Sequence, residues 1–292
     1  MMKCCIIING YSELESMMYQ PMRLKEELEN RNIPTDIIRN RVLLSEIRNS
    51  VLKSELYDYD FCIYLDKDKY LLRCLEKSNI PVFNAFEPIE ICDDKMMTYI
   101  ELANLGYDVP DTVPGILCYD PNANVKIEMI DFLEKRFGYP FIVKESYGSL
   151  GKGVFLVRNR QDAINICNKV KCSAHLFQEY IDSSEGRDVR AIVIGDEVIG
   201  SMLRSSDSDF RSNVENGGSA TPYPLDDDTK RMCVDIAKDL GLHYCGIDLL
   251  FTEDGFRICE VNSNAFFREF EKVTGINVAA AYAEYIIKTL EE

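Results

Sequence analysis

Two apolar segments near the end of the chain, joined by a short polar turn, constrain this sequence more than any other feature. Residues 247–251 and 256–261 flank residues 252–255, a pattern that predicts a β-hairpin. Each predicted strand contains one acidic side chain among apolar neighbours, Asp248 on the first strand and Glu260 on the second. We expect the hairpin to bring these two carboxylates together.

The register of this hairpin follows from the length of its loop. A three-residue loop that ends in a left-handed glycine would pair Phe251 with Arg257 and Asp248 with Glu260. Directly paired residues have Cβ atoms about 4.5–5.5 Å apart. Asn262 lies two residues beyond Glu260 and therefore shares its face of the strand.

Like charges placed opposite each other destabilise a sheet, and apolar neighbours increase the cost. Such a pair must share a proton, find a basic partner or bind a cation. Asp248, Glu260 and Asn262 all offer oxygen ligands, which suit Mg²⁺ or Mn²⁺ and do not suit zinc. The alternatives are a solvated acidic face, or salt bridges to Arg204 or Arg211.

The charge and the cysteines of the chain exclude several classes of function. With 49 acidic and 33 basic residues, the net charge is −16, which disfavours nucleic acid or an anionic membrane as a partner. The 11 cysteines include no C-x-x-C pair, so we predict free thiols in a reducing cytoplasm. The first apolar run is too short for a signal peptide or a membrane span, and we interpret His175 and His243 as structural.

Strands and helices alternate over the first 90 or so residues, which predicts a parallel sheet covered by helices and an α/β fold. The predicted strands are 4–8, 61–65 and 81–83, and the predicted helices are 21–30 and 70–77. A helix from residue 95 to residue 105 follows, and we place a domain boundary near residue 92. Beyond it, strands 141–145 and 154–158 flank a glycine-rich stretch, and a second hairpin comprises 188–194 and 198–204.

A lysine inside an apolar strand and a glycine loop after it suggest a phosphate site. Lys144 lies in strand 141–145, where a buried lysine is costly unless it is paired. The stretch 148–153 has three glycines, which allow backbone N–H groups to approach phosphate oxygens, although a plain tight turn fits the pattern equally well. Lys95 stands in the first turn of its helix, where an anion would relieve the conflict with the helix dipole; the alternative is a solvent-exposed lysine.

Positive charge is concentrated around the hairpin that follows residue 187. Asp188 and Arg190 share one strand face, Arg204 ends the returning strand, and Arg211 follows shortly. Arginine suits phosphate and carboxylate groups because its guanidinium fork binds two oxygens at once. The alternative is a set of surface ion pairs with Glu185, Asp207 and Asp209.

Eight short motifs occur in an order that resembles the ATP-grasp ligases of the RimK type, which include α-L-glutamate ligases. The resemblance covers residues 90–285 most fully. The motifs are Asp93-Asp94-Lys95, Phe141-Ile142-Val143-Lys144, the glycine run from Gly148 to Val154, Gln178-Glu179-Tyr180-Ile181, Gly186-Arg187-Asp188-Val189-Arg190, Phe210-Arg211-Ser212-Asn213, Gly246-Ile247-Asp248 and Glu260-Val261-Asn262.

The resemblance implies a Rossmann-like domain at residues 1–92 and a two-subdomain ATP-grasp domain at residues 93–292. Within the latter, a flap would occupy about residues 125–178, and a metal-binding subdomain about residues 179–292. It also implies roles for matched positions. Lys95, Lys144, Glu179, Tyr180, Ile181, Asp188, Arg211, Ser212 and Asn213 would bind ATP; Asp248, Glu260 and Asn262 would bind metal; Arg204 and Arg211 would be catalytic.

The implied activity joins a carboxylate to an amine through an acyl phosphate, with release of ADP and phosphate. The implied cofactors are ATP and two Mg²⁺ or Mn²⁺ ions, and the implied substrates are a carboxylate and an amino acid or peptide amine. Glutamate or another amino acid would be added to a peptide, a protein or a small molecule, and a homo-oligomer is compatible with the resemblance. The alternatives are a phosphotransferase on the same fold and a nucleotide-binding regulator without turnover.

One segment departs from the pattern of glutamate ligases. After Asn262 those enzymes commonly continue with small residues, Ser-Pro-Gly, whereas this chain has residues 263–268, which include Phe266, Phe267 and Arg268. We expect these three side chains to alter the wall of the site near the acceptor.

Overall fold

The computed structural model describes residues 2–11, 15–41, 44–149, 151–212 and 218–292. Its first sheet is parallel and has the strand order β2-β1-β5-β6, as the alternation of strands and helices predicted. Strand β2 was not predicted, and β3 pairs with β4 in a separate hairpin. In chain order these strands are β1 (Cys4–Asn9), β2 (Thr35–Asn40), β3 (Ser45–Arg48), β4 (Val51–Ser54), β5 (Phe61–Tyr64) and β6 (Val82–Phe83).

The helices of this first part follow their sequence patterns. They are α1 (Tyr19–Asn30), α2 (Lys69–Lys77) and α3 (Phe86–Asp93). Helix α2 begins after Asp68, whose side chain accepts hydrogen bonds from the backbone N–H groups of Tyr70 and Leu71. Its buried face packs toward the sheet. The predicted helices 21–30 and 70–77 are therefore confirmed, with small differences at their ends.

A second sheet, antiparallel and in the order β7-β10-β8-β9, follows helix α4. Asp94 caps α4 by accepting from the N–H groups of Met96 and Met97, as expected of an acidic residue at a helix start. Helices α5 and α6 pack on one face of this sheet. The elements are α4 (Lys95–Asn104), β7 (Thr112–Pro114), α5 (Ile127–Phe137), β8 (Phe141–Glu145), β9 (Val154–Val157), α6 (Arg160–Val170) and β10 (His175–Glu179).

The third sheet is antiparallel with the order β13-β12-β11-β14-β15, and it contains both predicted hairpins. Helix α7 packs on one face of this sheet, and helices α8 and α9 pack on the other. The elements are β11 (Arg187–Ile194), β12 (Glu197–Ser205), β13 (Ser219–Pro222), α7 (Asp227–Asp239), β14 (Tyr244–Thr252), β15 (Gly255–Asn262), α8 (Arg268–Thr274) and α9 (Val278–Glu291).

One hydrophobic core joins the first sheet to the third. Ile6 of β1 and Leu24 of α1 belong to the same buried cluster as Tyr244 of β14 and Tyr282 of α9. Burial of apolar surface at this scale holds the two parts together. The carboxyl ends of β1 and β5 therefore face the end of β15, and a cavity lies between them. The domain boundary near residue 92 falls in α3 and stays a prediction.

Among the helices of the described ranges, none combines the length and the apolar character that a membrane crossing requires. The two histidines lie outside the walls of the cavity. His175 contacts the carbonyl oxygen of Ser173 through Nδ1 at 2.8 Å, and the ring of His243 packs on Phe83.

Candidate active site

The acidic hairpin has the predicted carboxylate pair but a different turn. Asp248 is paired with Glu260, which confirms that prediction. The loop has two residues, so Phe251 pairs with Phe256, and the predicted pairing of Phe251 with Arg257 is wrong. A bulge at Cys259 adds one residue to β15 and restores the expected register at the acidic positions.

Asp248 is buried, with only 3% of its surface exposed, and two arginines neutralise it. Nε and Nη2 of Arg190 donate to the two carboxylate oxygens at 2.7 Å, and Nη2 of Arg204 lies 2.9 Å from Oδ2. Burial alone would raise the pKa of Asp248, but the two guanidinium groups outweigh it, so the pKa lies below its usual value. A salt bridge between Asp248 and Arg204 is thus present, as one alternative expected, and Arg190 is an additional partner.

Arg204 also binds the second buried carboxylate of the cavity. It donates to both oxygens of Asp188, at 2.7 and 2.6 Å, and Ser212 donates to the same carboxylate at 2.5 Å. Burial would lower the pKa of Arg204, but the charges of Asp248 and Asp188 raise it above its usual value. The structure therefore brings Asp188, Arg204 and Ser212 together with Asp248 in one buried network.

Arg211 lies apart from that network and contacts the glycine loop. It pairs with Asp209 at 2.6 Å, and its Nη1 donates to the carbonyl oxygen of Gly151 at 2.8 Å. The expected surface ion pair with Asp209 is therefore present, while the salt bridge between Arg211 and Asp248 is absent from the described contacts. Asn213, predicted to bind ATP, lies outside the described residues.

Lys144 and Lys95 approach the cavity from different elements. Lys144 on β8 is 7% exposed, and its Nζ lies 3.1 Å from the hydroxyl of Tyr99 and 3.9 Å from Sγ of Cys259. Lys95 at the start of α4 donates to the carbonyl oxygen of Gly148 at 2.9 Å and lies 3.4 Å from Glu260. Lys95 is therefore not the solvent-exposed lysine of the alternative hypothesis, because its side chain is only 11% exposed.

The connection between the second and third sheets closes one side of the cavity. Glu179, Tyr180 and Ile181 all line it. The carboxylate of Glu179 forms an ion pair with Arg257 at 2.5 Å and accepts from the N–H group of Asp111 at 2.7 Å. The side chain of Glu179 is therefore engaged by the protein itself.

These elements enclose a cavity of about 500 Å³, within the range typical of small-molecule sites. Its walls contain every predicted site residue that the structure describes. They are Lys95, Lys144, Glu179, Tyr180, Ile181, Asp188, Arg204, Arg211, Ser212, Asp248, Glu260 and Asn262.

The donor set at the end of β15 fits a hard divalent cation. In the described part of the chain, no group of three His, Cys, Asp or Glu side chains could hold a metal ion. Mg²⁺ does not require one, because it binds one or two carboxylates together with phosphate oxygens and water. The amide nitrogen of Asn262 is buried without a hydrogen-bond partner, and as a donor it suits a phosphate oxygen, which leaves the amide oxygen for a cation. Burial raises the pKa of the nearby Cys259 to about 11, which keeps that thiol neutral. Glu260 and Asn262 therefore offer oxygen ligands without a competing thiolate.

Three side chains after Asn262 were expected at the wall of the cavity, and two of them lie elsewhere. Phe266 lines the cavity, as predicted. Phe267 is fully buried in the hydrophobic core, and Arg268 is exposed with its guanidinium over the ring of Tyr19. Phe267 and Arg268 lie at the start of helix α8, one packed into the core and the other at the surface, so neither lines the cavity and the prediction for them is wrong.

Two residues that contact the site, Arg190 and Tyr99, were not predicted as site residues from the sequence. Arg190 contacts Asp248, and the available signal was a charged residue two positions after Asp188 inside an otherwise apolar strand. Tyr99 contacts Lys144 from helix α4, where it has the appearance of an ordinary core aromatic residue. Nothing in the sequence separates such a tyrosine from the rest of the core.

The fold and the cavity define a class of protein: a parallel α/β domain followed by two antiparallel sheets that close on a charged, nucleotide-sized cavity, which is the ATP-grasp architecture. A family model described as RimK-like ATP-grasp domain matches residues 92–286, so the chain belongs to the RimK-like ATP-grasp family. The expected family and fold class are therefore confirmed.

Relatives and solved structures agree with this placement. The chain is 40% identical over 228 residues to beta-citrylglutamate synthase B of Danio rerio, covering 77% of this chain and 55% of that protein. It is 38% identical over 228 residues to N-acetylaspartylglutamate synthase A of Mus musculus, covering 77% and 58%. This chain thus spans little more than half the length of these relatives. The crystal structure of a RimK domain protein from Sphaerobacter thermophilus aligns with a TM-score of 0.74 at 19% identity, covering 97% of this chain and 98% of that one.

Proposed function

We propose that this chain is an ATP-dependent carboxylate–amine ligase that forms an amide bond through an acyl phosphate. The observation that supports it most is the convergence of Lys95, Lys144, Arg204 and the Asp248–Glu260 pair on one cavity. Phosphoryl transfer to a carboxylate spreads negative charge over the phosphate oxygens in the transition state. The reaction therefore needs cationic side chains and oxygen ligands for a metal on opposite sides of the phosphates.

The first step activates the carboxylate. A substrate carboxylate oxygen attacks the γ-phosphorus of ATP, the bond to the bridging oxygen breaks, and ADP leaves. Lys95 and Lys144 would hold the phosphates, and Arg204 would neutralise the negative charge of the acyl phosphate. Glu260 and Asn262, with Asp248, would hold two Mg²⁺ or Mn²⁺ ions, which when bound supply Lewis-acid neutralisation of the phosphate charge.

The second step forms the amide. The neutral amine nitrogen attacks the acyl carbon, the bond from that carbon to the phosphate oxygen breaks, and the departing phosphate takes the proton that the nitrogen loses. Water must be excluded while the acyl phosphate exists, because water would hydrolyse it before the amine attacks. Lys95 and Arg211 each donate to a carbonyl oxygen of the glycine loop, at Gly148 and Gly151, and so fasten this loop over the cavity.

The amine is L-glutamate in this proposal. The names of both relatives contain glutamate, and each describes a product in which glutamate is joined to another acid. The carboxylate partner would meet Phe266, which replaces the small residues expected at this wall. We assign ATP binding to the connection at Glu179–Ile181 and to Asp188, Arg211 and Ser212.

We also propose a domain organisation and a cellular location for this chain. A Rossmann-like domain would occupy residues 1–92, a flap would occupy about residues 125–178, and the metal-binding subdomain would follow from residue 179. All cysteines are free thiols, which supports a cytoplasmic location, and association into a homo-oligomer is part of the same proposal.

The experiment is a measurement of ADP and free phosphate with ATP, Mg²⁺, L-glutamate and a panel of carboxylates. We expect both products in equal amounts, only when glutamate and a carboxylate are present together. A phosphorylated product without free phosphate would indicate a phosphotransferase instead. Lys144→Ala and Asn262→Ala should each abolish the signal, and retained turnover in both variants would refute the assignment.

A further inference from the structure

A third buried carboxylate lines the cavity and is not part of the arginine network. Asp66 follows strand β5, is 5% exposed and lines the cavity. Its Oδ1 accepts from the side-chain amide of Asn9 at 3.1 Å and from the N–H group of Lys67 at 2.8 Å. Its Oδ2 is buried and has no hydrogen-bond partner. A buried carboxylate oxygen without a donor is costly, so a ligand that donates to it would stabilise the site.

The residues around Asp66 supply no cation. The nearest lysine in the chain, Lys67, is paired with Asp93. The side chains that hydrogen bonds place beside Asp66 and Leu65 are neutral, Asn9 and Asn264. None of the ion pairs among the described residues includes Asp66.

A second oxygen near the same wall also lacks a donor. Gln20 donates through Nε2 to Asn264 at 3.3 Å, and Asn264 donates to the carbonyl oxygen of Leu65 at 2.9 Å. Oε1 of Gln20 is buried without a partner. Only Asp66 of these two residues lines the cavity, and its free carboxylate oxygen matches a ligand group that has several N–H bonds and a positive charge, which describes an ammonium group.

We propose that Asp66 binds the ammonium group of the amine substrate before that group loses its proton. The proposal rests on the ligase function above and adds the amine subsite to it. A buried carboxylate is stabilised by a hydrogen-bonded cation. The torsion of an aspartate carboxyl about its Cβ–Cγ bond is broad, so the free oxygen can turn toward a bound ammonium group, at the expense of the hydrogen bonds that Oδ1 accepts from Asn9 and Lys67.

The position of Asp66 suits an amine that must reach the acyl phosphate. The segment Ser263–Phe266 forms the wall beside Asp66 and follows Asn262 directly along the chain. The hydrogen bond from Asn264 to Leu65 joins this segment to the residue that precedes Asp66. An ammonium group held between them therefore lies next to the end of β15, where the phosphate chemistry is proposed.

A calorimetric titration would test whether Asp66 binds the ammonium group, and it needs no catalytic turnover. The titrants are L-glutamate and 2-hydroxyglutarate, in which a hydroxyl replaces the ammonium group, with Mg²⁺ and a non-hydrolysable ATP analogue present. We expect the wild-type protein to bind L-glutamate about ten- to hundredfold more tightly than 2-hydroxyglutarate. Asp66→Asn should remove most of this preference and leave nucleotide affinity within about twofold, because the substitution removes charge and keeps the shape. Asp60→Asn, at the exposed opposite end of β5, should keep the preference.

The outcomes separate this inference from the ligase function. Equal affinities of wild type and Asp66→Asn for L-glutamate would overturn the role of Asp66 and indicate an ordered water at its free oxygen. A wild-type protein that binds L-glutamate no better than 2-hydroxyglutarate would overturn it as well, whatever the folding of the variant. Ammonium-selective binding without any ADP release under the assay above would leave Asp66 in place and refute the ligase function alone.

Discussion

Arg190 binds both carboxylate oxygens of Asp248 at 2.7 Å, directly across the neighbouring strands β11 and β14. Both side chains are largely buried, and Arg204 adds a third contact to the same carboxylate. Removing one member of a buried pair leaves an uncompensated charge, which costs far more than the pair contributes when intact. Asp248 is therefore held in one orientation by charge and by geometry before any ligand enters.

We expect Arg190→Met to lower the free energy of unfolding by about 3 kcal/mol, the lower end for a broken buried pair, because Arg204 still contacts Asp248. Methionine keeps most of the aliphatic volume and removes the charge. The measurement is urea unfolding followed by circular dichroism. Arg231→Met, which breaks an exposed pair with Asp228, should cost less than about 1 kcal/mol.

Adding Asp248→Asn to Arg190→Met should return more than about 1 kcal/mol of the loss, since the buried charge is then absent. Strictly additive losses in the double variant would show that the two residues do not depend on each other.

The carboxylate pair was predictable, while the network around it was not. The alternation of apolar and acidic residues fixed the face of Asp248 and Glu260, and an error of one residue in the loop was cancelled by the bulge at Cys259. Arg190 could be placed on a strand face with Asp188, but its partner depends on strand β14 lying beside β11. Such pairings join residues that are far apart along the chain, and local patterns do not encode them.

The same limit applies to the elements that were missed. Strand β2 has only a short apolar centre, Ile37-Ile38, between polar residues, and it becomes a strand because β1 pairs with it. Helices α2 and α4 were predictable because their caps, Asp68 and Asp94, act through neighbouring residues. Local signals therefore predicted helices α2 and α4 and the hairpins β11–β12 and β14–β15, whereas helices α3 and α8 and the hairpin β3–β4 were not predicted.

Tyr99 positions the lysine that would hold ATP. Its hydroxyl contacts Nζ of Lys144 and donates to the carbonyl oxygen of Cys259, which ties α4 to β15. We expect Tyr99→Phe to raise the KM for ATP about five- to tenfold, because a hydrogen bond to a charged group is lost. Steady-state kinetics would measure it. Tyr107→Phe removes a hydroxyl that contacts Asp239 outside the cavity, and it should leave this KM unchanged; an equal rise in both variants would contradict the positioning role.

Gly153 ends the glycine loop with a backbone that excludes a side chain. Its φ is +78°, and an added Cβ would lie 2.5 Å from Oε2 of Glu145. We expect Gly153→Ala to shift the loop and raise the KM for ATP several-fold, in addition to a strain of about 1–2 kcal/mol. Gly138→Ala is a matched control, since its φ is +69° and nothing lies within 4 Å of the added atom. It should lower stability similarly without changing the KM. Unchanged ATP kinetics in Gly153→Ala would show that the loop does not contact the nucleotide.

Metal-dependent nucleotide binding should depend on Glu260. A non-hydrolysable ATP analogue at about 100 times its dissociation constant stabilises a folded protein by about 2.7 kcal/mol, which raises the melting temperature by several degrees. In the wild type we expect this rise to require Mg²⁺ and to vanish with a chelator. Glu260→Gln keeps the size of the side chain and removes the charge, so it should lose most of the Mg²⁺-dependent rise. Glu284→Gln, on the exposed face of helix α9, should retain the full rise. A rise in Glu260→Gln equal to that of the wild type would place the metal elsewhere in the cavity.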